Sequence, residues 1–220
     1  LRDQEALWDE FLAVGLAAVD SVSKTVLVLC DGHLDAVPEV KSLERDSDRA
    51  VVRIEQHCLR ALALFEPVAS DLRRLATILK VSRDWKRIAD HSTRIARRTR
   101  KLARTSGDLH APRLLQTLAR NVLSQVCAGY EALSGRDPDR ARKVIAAEKS
   151  IDRQYRKLRR ELKESLCRRP EDLESWFRLM STARNLERIA DYATDIAQSV
   201  IYLQEGIIVR HLPQAQDVGE

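Results

Sequence analysis

The tetrapeptide RIAD occurs twice in this chain, and the two copies constrain the fold more than any other feature. Arg87, Ile88, Ala89, Asp90, Thr93, Ile95, Ala96 and Leu102 match Arg188, Ile189, Ala190, Asp191, Thr194, Ile196, Ala197 and Leu203 at one offset, 191 − 90 = 101. An acidic pair precedes each copy. "LERDSD" carries Glu44 and Asp48, "AEKSID" carries Glu148 and Asp152, and their offset is 148 − 44 = 104. Two motifs in the same order at nearly the same spacing mark an internal duplication. Whatever one half folds into, the other half must fold into as well.

The repeating unit is helical. Trp8, Leu12, Gly15, Val19, Val22, Val26 and Leu29 follow steps of three and four, the period of one helix face. Val40, Leu43, Ser47, Val51, Ile54, Cys58 and Leu62 form a second stripe, and Ile78, Trp85, Ile88, Ile95 and Leu102 a third. The other half repeats the scheme with Leu115, Leu118, Val122, Val126 and Leu133, then Val144, Ala147, Ile151, Leu158 and Leu162, then Leu179, Leu186, Ile189, Ala193, Ile196, Val200 and Leu203. With 7 glycines, 6 prolines and 5% aromatic residues in 220, the chain lacks the turns and side chains of a many-stranded sheet.

Breaks fall between the stripes at "CDGHLDAVPE", "FEPVASDLRR", "SGRDPDRA" and "CRRPEDLES". Pro67 stops one helix, and Ser70 and Asp71 suit the start of the next. Pro170 suits a first helical turn. "RTSGDLHAPR" near the middle divides the halves. The expected fold is all-α, six helices in two three-helix units, residues 1–106 and 107–206, with a frayed tail at 207–220.

Other features narrow the function. No uninterrupted apolar run matches a bilayer's thickness, and no secretory signal is legible. Cys30, Cys58, Cys127 and Cys167 lack metal or redox spacing and read as small buried thiols. His33, His57, His91, His110 and His211 form neither H-E-x-x-H nor E-x-x-H, against a zinc peptidase or a ferritin-like oxidase. A net charge of +5 favours acidic partners or an anionic membrane face. Basic runs end the third helix (Arg94, Arg97, Arg98, Arg100, Lys101, Arg104) and line the fifth (Arg153, Arg156, Lys157, Arg159, Arg160, Lys163). Without an interleaved aromatic platform or a helix-turn-helix they disfavour nucleic acid. No Gly-rich phosphate loop is present.

The acids of the repeat sit at the edges of apolar stripes. Glu44 and Asp48, Glu148 and Asp152, and Glu187 and Asp191 are each four residues apart, so on a helix each pair stands about 6 Å apart on one face. Like charges there repel, and a cation relieves them with hard oxygen ligands. The alternative is a salt-bridged flank, Arg184 reaching Glu187 and Arg188 reaching Asp191. The first copy departs from the second: Lys86 stands at the place of Glu187, and Arg94 at that of Asp195. Asp195 extends the acidic column and is its weakest member. Lys86 is expected to pair with Asp90 or Glu44, supplying a cation from the chain itself.

"LERIADYA" at 186–193, "WKRIADHS" at 85–92 and "PVASDLR" at 67–73 resemble the repeated L-E-R-I-G-D-H/R-A phrase and the P-x-x-x-D-L-R segment of the PhoU family. The resemblance covers residues 5 to 205 in both halves. It implies two three-helix bundles packed side by side and a cytoplasmic, non-catalytic negative regulator of phosphate uptake and phosphate-starvation signalling. Its implied partners are the phosphate ABC transporter and a membrane sensor histidine kinase, with peripheral contact at the inner face of the membrane through them. A homodimer is compatible with this reading. Carried over by position, the family's metal motifs fall on Glu44, Asp48, Asp90, Glu148, Asp152, Glu187 and Asp191. The implied ligands are divalent or trivalent ions: iron, zinc, magnesium or manganese. Ala89 and Ala190 replace the family's glycine. The runner-up readings are an accessory protein of another transporter and a carboxylate-bridged metalloenzyme.

Overall fold

The computed structural model describes residues 2–65, 67–106 and 111–209. Six helices organise them: α1 (Arg2–Cys30), α2 (Val37–Phe65), α3 (Ala69–Ser106), α4 (Arg113–Ser134), α5 (Pro138–Arg168) and α6 (Leu173–Glu205). Short 3-10 turns at Leu34–Ala36 and Pro170–Asp172 lead into α2 and α6. No strand occurs among the described residues. Residues 206–209 have no regular structure, and the rest of the expected tail, 210–220, lies outside the described residues, as does 107–110 at the expected division.

Helix ends follow the breaks in the sequence with small shifts. α3 starts at Ala69, which takes a positive φ of 40°. The Asp71 N–H then reaches the Val68 carbonyl at 3.0 Å. α5 is capped by Asp137, whose carboxylate accepts from the Arg140 N–H at 2.9 Å, with Pro138 in the first turn, where its missing N–H costs nothing. Pro170 opens the 3-10 turn, so α6 begins only at Leu173.

The duplication extends to burial. Phe11, Val14, Ala18, Val22 and Val28 on α1 correspond to Leu115, Leu118, Val122, Val126 and Ala132 on α4, all buried, at an offset of 115 − 11 = 104. Val40 and Ile54 on α2 correspond to Val144 and Leu158 on α5 at the same offset, 158 − 54 = 104. Ile88 and Ile95 on α3 correspond to Ile189 and Ile196 on α6 at 189 − 88 = 101. The shift between these offsets brings equivalent positions on the last two helices three residues closer along the chain in the second half than in the first (104 − 101).

Each half is a three-helix bundle, and the bundles join side by side through α3 against α6 and α1 against α4. His91 and Tyr192 are repeat equivalents (192 − 91 = 101), and their rings touch with centroids 5.8 Å apart. Such a self-contact places a pseudo-twofold axis between them, with α3 and α6 antiparallel. Lys80 meets Ser199 at 2.9 Å on one side of it. At the other seam the fully buried Trp85 packs edge-on to Tyr130, 6.2 Å between centroids. Gly15 admits both rings: a Cβ there would stand 3.0 Å from Trp85 Nε1 and 3.0 Å from Tyr130 Cδ2.

α1, over Glu5–Cys30, is long and apolar enough by composition to cross a membrane, but Asp9, Glu10, Asp20 and Lys24 punctuate the segment, so its apolar run is interrupted, as expected. Its apolar face packs on α2, α3 and α4, with Phe11, Ala18 and Val28 fully buried. The cysteines need correction: of the four, all free, only Cys58 is buried, and Cys167 at the end of α5 is exposed.

Candidate functional site

In each bundle the middle and last helices run antiparallel, and the repeated acids lie along the flank where they meet. In the first bundle Lys86 fills that flank. Its Nζ stands 3.0 Å from Asp48 Oδ1 and 3.2 Å from each carboxylate oxygen of Asp90, and Arg87 adds a contact to Asp90 at 3.9 Å. Asp90 is only 11% exposed, so its charge needs a partner. Burial pulls the Lys86 pKa down, but the hydrogen bonds to Asp48 and Asp90 outweigh it, and the pKa stands above the ordinary lysine value. The ammonium bridges α2 and α3. Its second partner is Asp48; Glu44, the other expected partner, makes no ion pair among the described residues. A donor set already closed by an ammonium does not fit a metal ion.

The second bundle lacks that cation. Glu148 and Asp152 come from α5, and Glu187, Asp191 and Asp195 from α6. They act on one another across the helices. Burial, then Glu187, Glu148 and Asp152, raise Asp191 to about 6, against the opposing pull of Arg188. Burial, then Asp152 and Asp195, raise Glu148 above the usual carboxylate range. Arg188 reaches Asp191 at 3.7 Å, as the salt-bridged reading expects. Arg184 makes no ion pair with Glu187 among the described residues. No three His, Cys, Asp or Glu side chains among the described residues stand in a ready-made ligand cluster. The set is nevertheless all hard oxygen, and burial with neighbouring carboxylates raises Asp191 and Glu148 within it, which fits a cation.

Asp195, at the end of the i,i+4 column, acts on Glu148 of α5 through its charge. His91 belongs to the bundle seam: its Nδ1 lies 2.7 Å from Asn185 Oδ1 on α6. The basic faces of α3 and α5 point outward, with Arg94, Arg97, Arg153, Arg156, Lys157, Arg160 and Lys163 exposed.

The PhoU domain model matches this chain twice, over residues 12–99 and 115–200, one match to each bundle. A phosphate-specific transport system accessory protein PhoU homolog from Pseudomonas putida is 30% identical over 208 residues, 94% of this chain and 81% of that protein. The homolog from Deinococcus radiodurans is 32% identical over 180 residues, 81% of this chain and 84% of its own. Among solved structures, PhoU from Pseudomonas aeruginosa superposes with a TM-score of 0.88 at 30% identity, covering 94% of this chain and 99% of that one. The phosphate transport system regulatory protein PhoU from Streptococcus pneumoniae superposes with a TM-score of 0.84 at 25% identity, covering 94% and 97%.

Proposed function

The chain belongs to the PhoU family, and from that premise we propose that it is a non-catalytic accessory protein of a phosphate-specific transport system. The observation that carries this reading is the paired family match, one to each bundle, with relatives named as accessory proteins of that system along most of their length. Within that role it acts as a negative regulator. It binds the phosphate ABC transporter and a membrane sensor histidine kinase in the cytoplasm and holds them in the phosphate-replete state. Two antiparallel bundles offer two broad helical faces, as a protein that touches two partners requires.

The metal part of the proposal is confined to the second bundle. Glu148, Asp152, Glu187 and Asp191 would hold the ion, which would supply neutralising charge and tie α5 to α6. Asp48 and Asp90 hold none, because Lys86 already serves them, and Glu44 is left as a single carboxylate.

Co-purification from phosphate-replete cells tests the adaptor role. The tagged chain is expected to retain the transporter's ATPase subunit and the kinase, and to release them under phosphate starvation. Retention of neither partner in either condition overturns the reading.

A further inference from the structure

The internal repeat exposes a second substitution of charge, separate from the carboxylates. In the first bundle Arg83 on α3 donates from Nε to Glu55 Oε1 on α2 at 2.8 Å. The offsets place Arg184 at the position of Arg83 (184 − 83 = 101) and Arg159 at that of Glu55 (159 − 55 = 104). The second bundle keeps the arginine and replaces its carboxylate with another arginine. Both line a groove of about 620 Å³ between α5 and α6. Neither guanidinium has an ion-pair partner among the described residues.

The rest of that end of the groove is built of donors and rings. Trp176 lines it, and its Nε1 is shielded from solvent with no hydrogen-bond partner among the described residues. Phe177 packs against Trp176 at 5.0 Å between centroids. Arg159, Arg184 and Arg188 all act on the phenol of Tyr155, a further lining residue. Arg188 is engaged by Asp191. Glu187 and Asp191 line the groove too and repel an anion, so the acceptor belongs at the Arg159–Arg184 end. Two guanidiniums without carboxylate partners call for a ligand that only accepts, and planar guanidinium forks match phosphate oxygens in pairs.

We propose that Arg159 and Arg184 form a binding site for a phosphate group, borne either by inorganic phosphate or by a phosphate monoester. The groove exceeds a bare phosphate in volume, and the Trp176–Phe177 wall suits an organic substituent on the ester. The site goes beyond the accessory role and stands on α5 and α6 alone, whether or not the carboxylates hold a metal.

Calorimetric titration of the intact chain in low-salt buffer with EDTA tests it, with inorganic phosphate and phenyl phosphate as probes. Arg159→Glu restores the pair that Glu55 and Arg83 make, so it removes the site while keeping the helices matched. Arg153→Glu makes the same charge change on the same helix outside the groove. Saturable one-to-one binding is expected for the parent chain. Arg159→Glu should weaken it about tenfold or more, and Arg153→Glu by less than about twofold. Tighter binding of phenyl phosphate assigns the site to a monoester, and equal or weaker binding to free phosphate. Should Arg159→Glu lose helicity, Arg184→Gln is titrated in its place with the same expectation. Absence of saturable binding by both probes, or equal weakening by Arg153→Glu, overturns the proposal.

Discussion

Lys86 Nζ stands 3.2 Å from both carboxylate oxygens of Asp90 and ties α3 to Asp48 on α2 at 3.0 Å. The repeat equivalent of Lys86 is Glu187, and the equivalents of Asp48 and Asp90 are Asp152 and Asp191. One fold thus appears twice with one position inverted in charge. The first bundle is closed by its own cation, and the second is left with carboxylates facing carboxylates.

Removing the ammonium leaves Asp90, 11% exposed, with only the 3.9 Å contact to Arg87. Lys86→Met is expected to cost about 2 kcal/mol of stability at neutral pH, mostly from the stranded carboxylate rather than the lost attraction. Urea denaturation with an unchanged m-value measures this. A cost below about 0.5 kcal/mol would mean that water compensates Asp90 as well as Lys86 does.

Asp191 predicts the opposite behaviour. Its folded-state pKa, about 6, lies above the ordinary 3.8, so the folded protein disfavours the charged form. That cost begins above about pH 4, is fully expressed above pH 6, and is relieved as pH falls through 6. Asp191→Asn should therefore stabilise the metal-free chain at pH 7.5 by about 1 kcal/mol, a figure reduced because the side chain is 38% exposed and screened by solvent. The difference should vanish by pH 4. Thermal melts of both chains across that range, in EDTA, give the comparison, and a gain that persists at pH 4 points to packing instead of charge.

Gly15→Ala brings a methyl to 3.0 Å from both Trp85 Nε1 and Tyr130 Cδ2. The two rings pack on each other between α1, α3 and α4. Although alanine is the better helix former, the substitution is expected to destabilise by about 1–3 kcal/mol. Near-UV circular dichroism should register the displaced indole. A stabilised variant with unchanged aromatic signal would show that the seam has slack.

The duplication made the fold legible. Buried pairs such as Phe11 and Leu115, or Ile88 and Ile189, repeat at the offsets that the RIAD phrases carry. A helix period read once could be tested against its second copy. The Lys86–Asp90 pair was legible too, because i,i+4 spacing on one helix is a local property. Partners on other helices were not. Lys86 reaches Asp48 rather than Glu44, a choice between two acids one turn apart that depends on how α2 and α3 are set against each other. Asp195 looked peripheral because its influence on Glu148 crosses from α6 to α5. The Arg159–Arg184 relationship was hidden for the same reason: the offset differs between the two helices, 104 against 101, so the substitution appears only when each helix is aligned separately.

Metal stoichiometry tests the asymmetry of the two halves most directly. Manganese(II) and iron(III) are titrated into the parent chain, Asp90→Ala, Asp191→Ala and Lys86→Glu, with bound metal counted by elemental analysis after dialysis. The parent chain is expected to hold metal, Asp90→Ala to hold the same amount, and Asp191→Ala to lose it. Lys86→Glu should gain a second set of ligands and raise the count. Equal metal in the parent chain and Asp191→Ala, or loss on Asp90→Ala, would contradict the division of the molecule into one bundle that carries its own cation and one that takes it from solution.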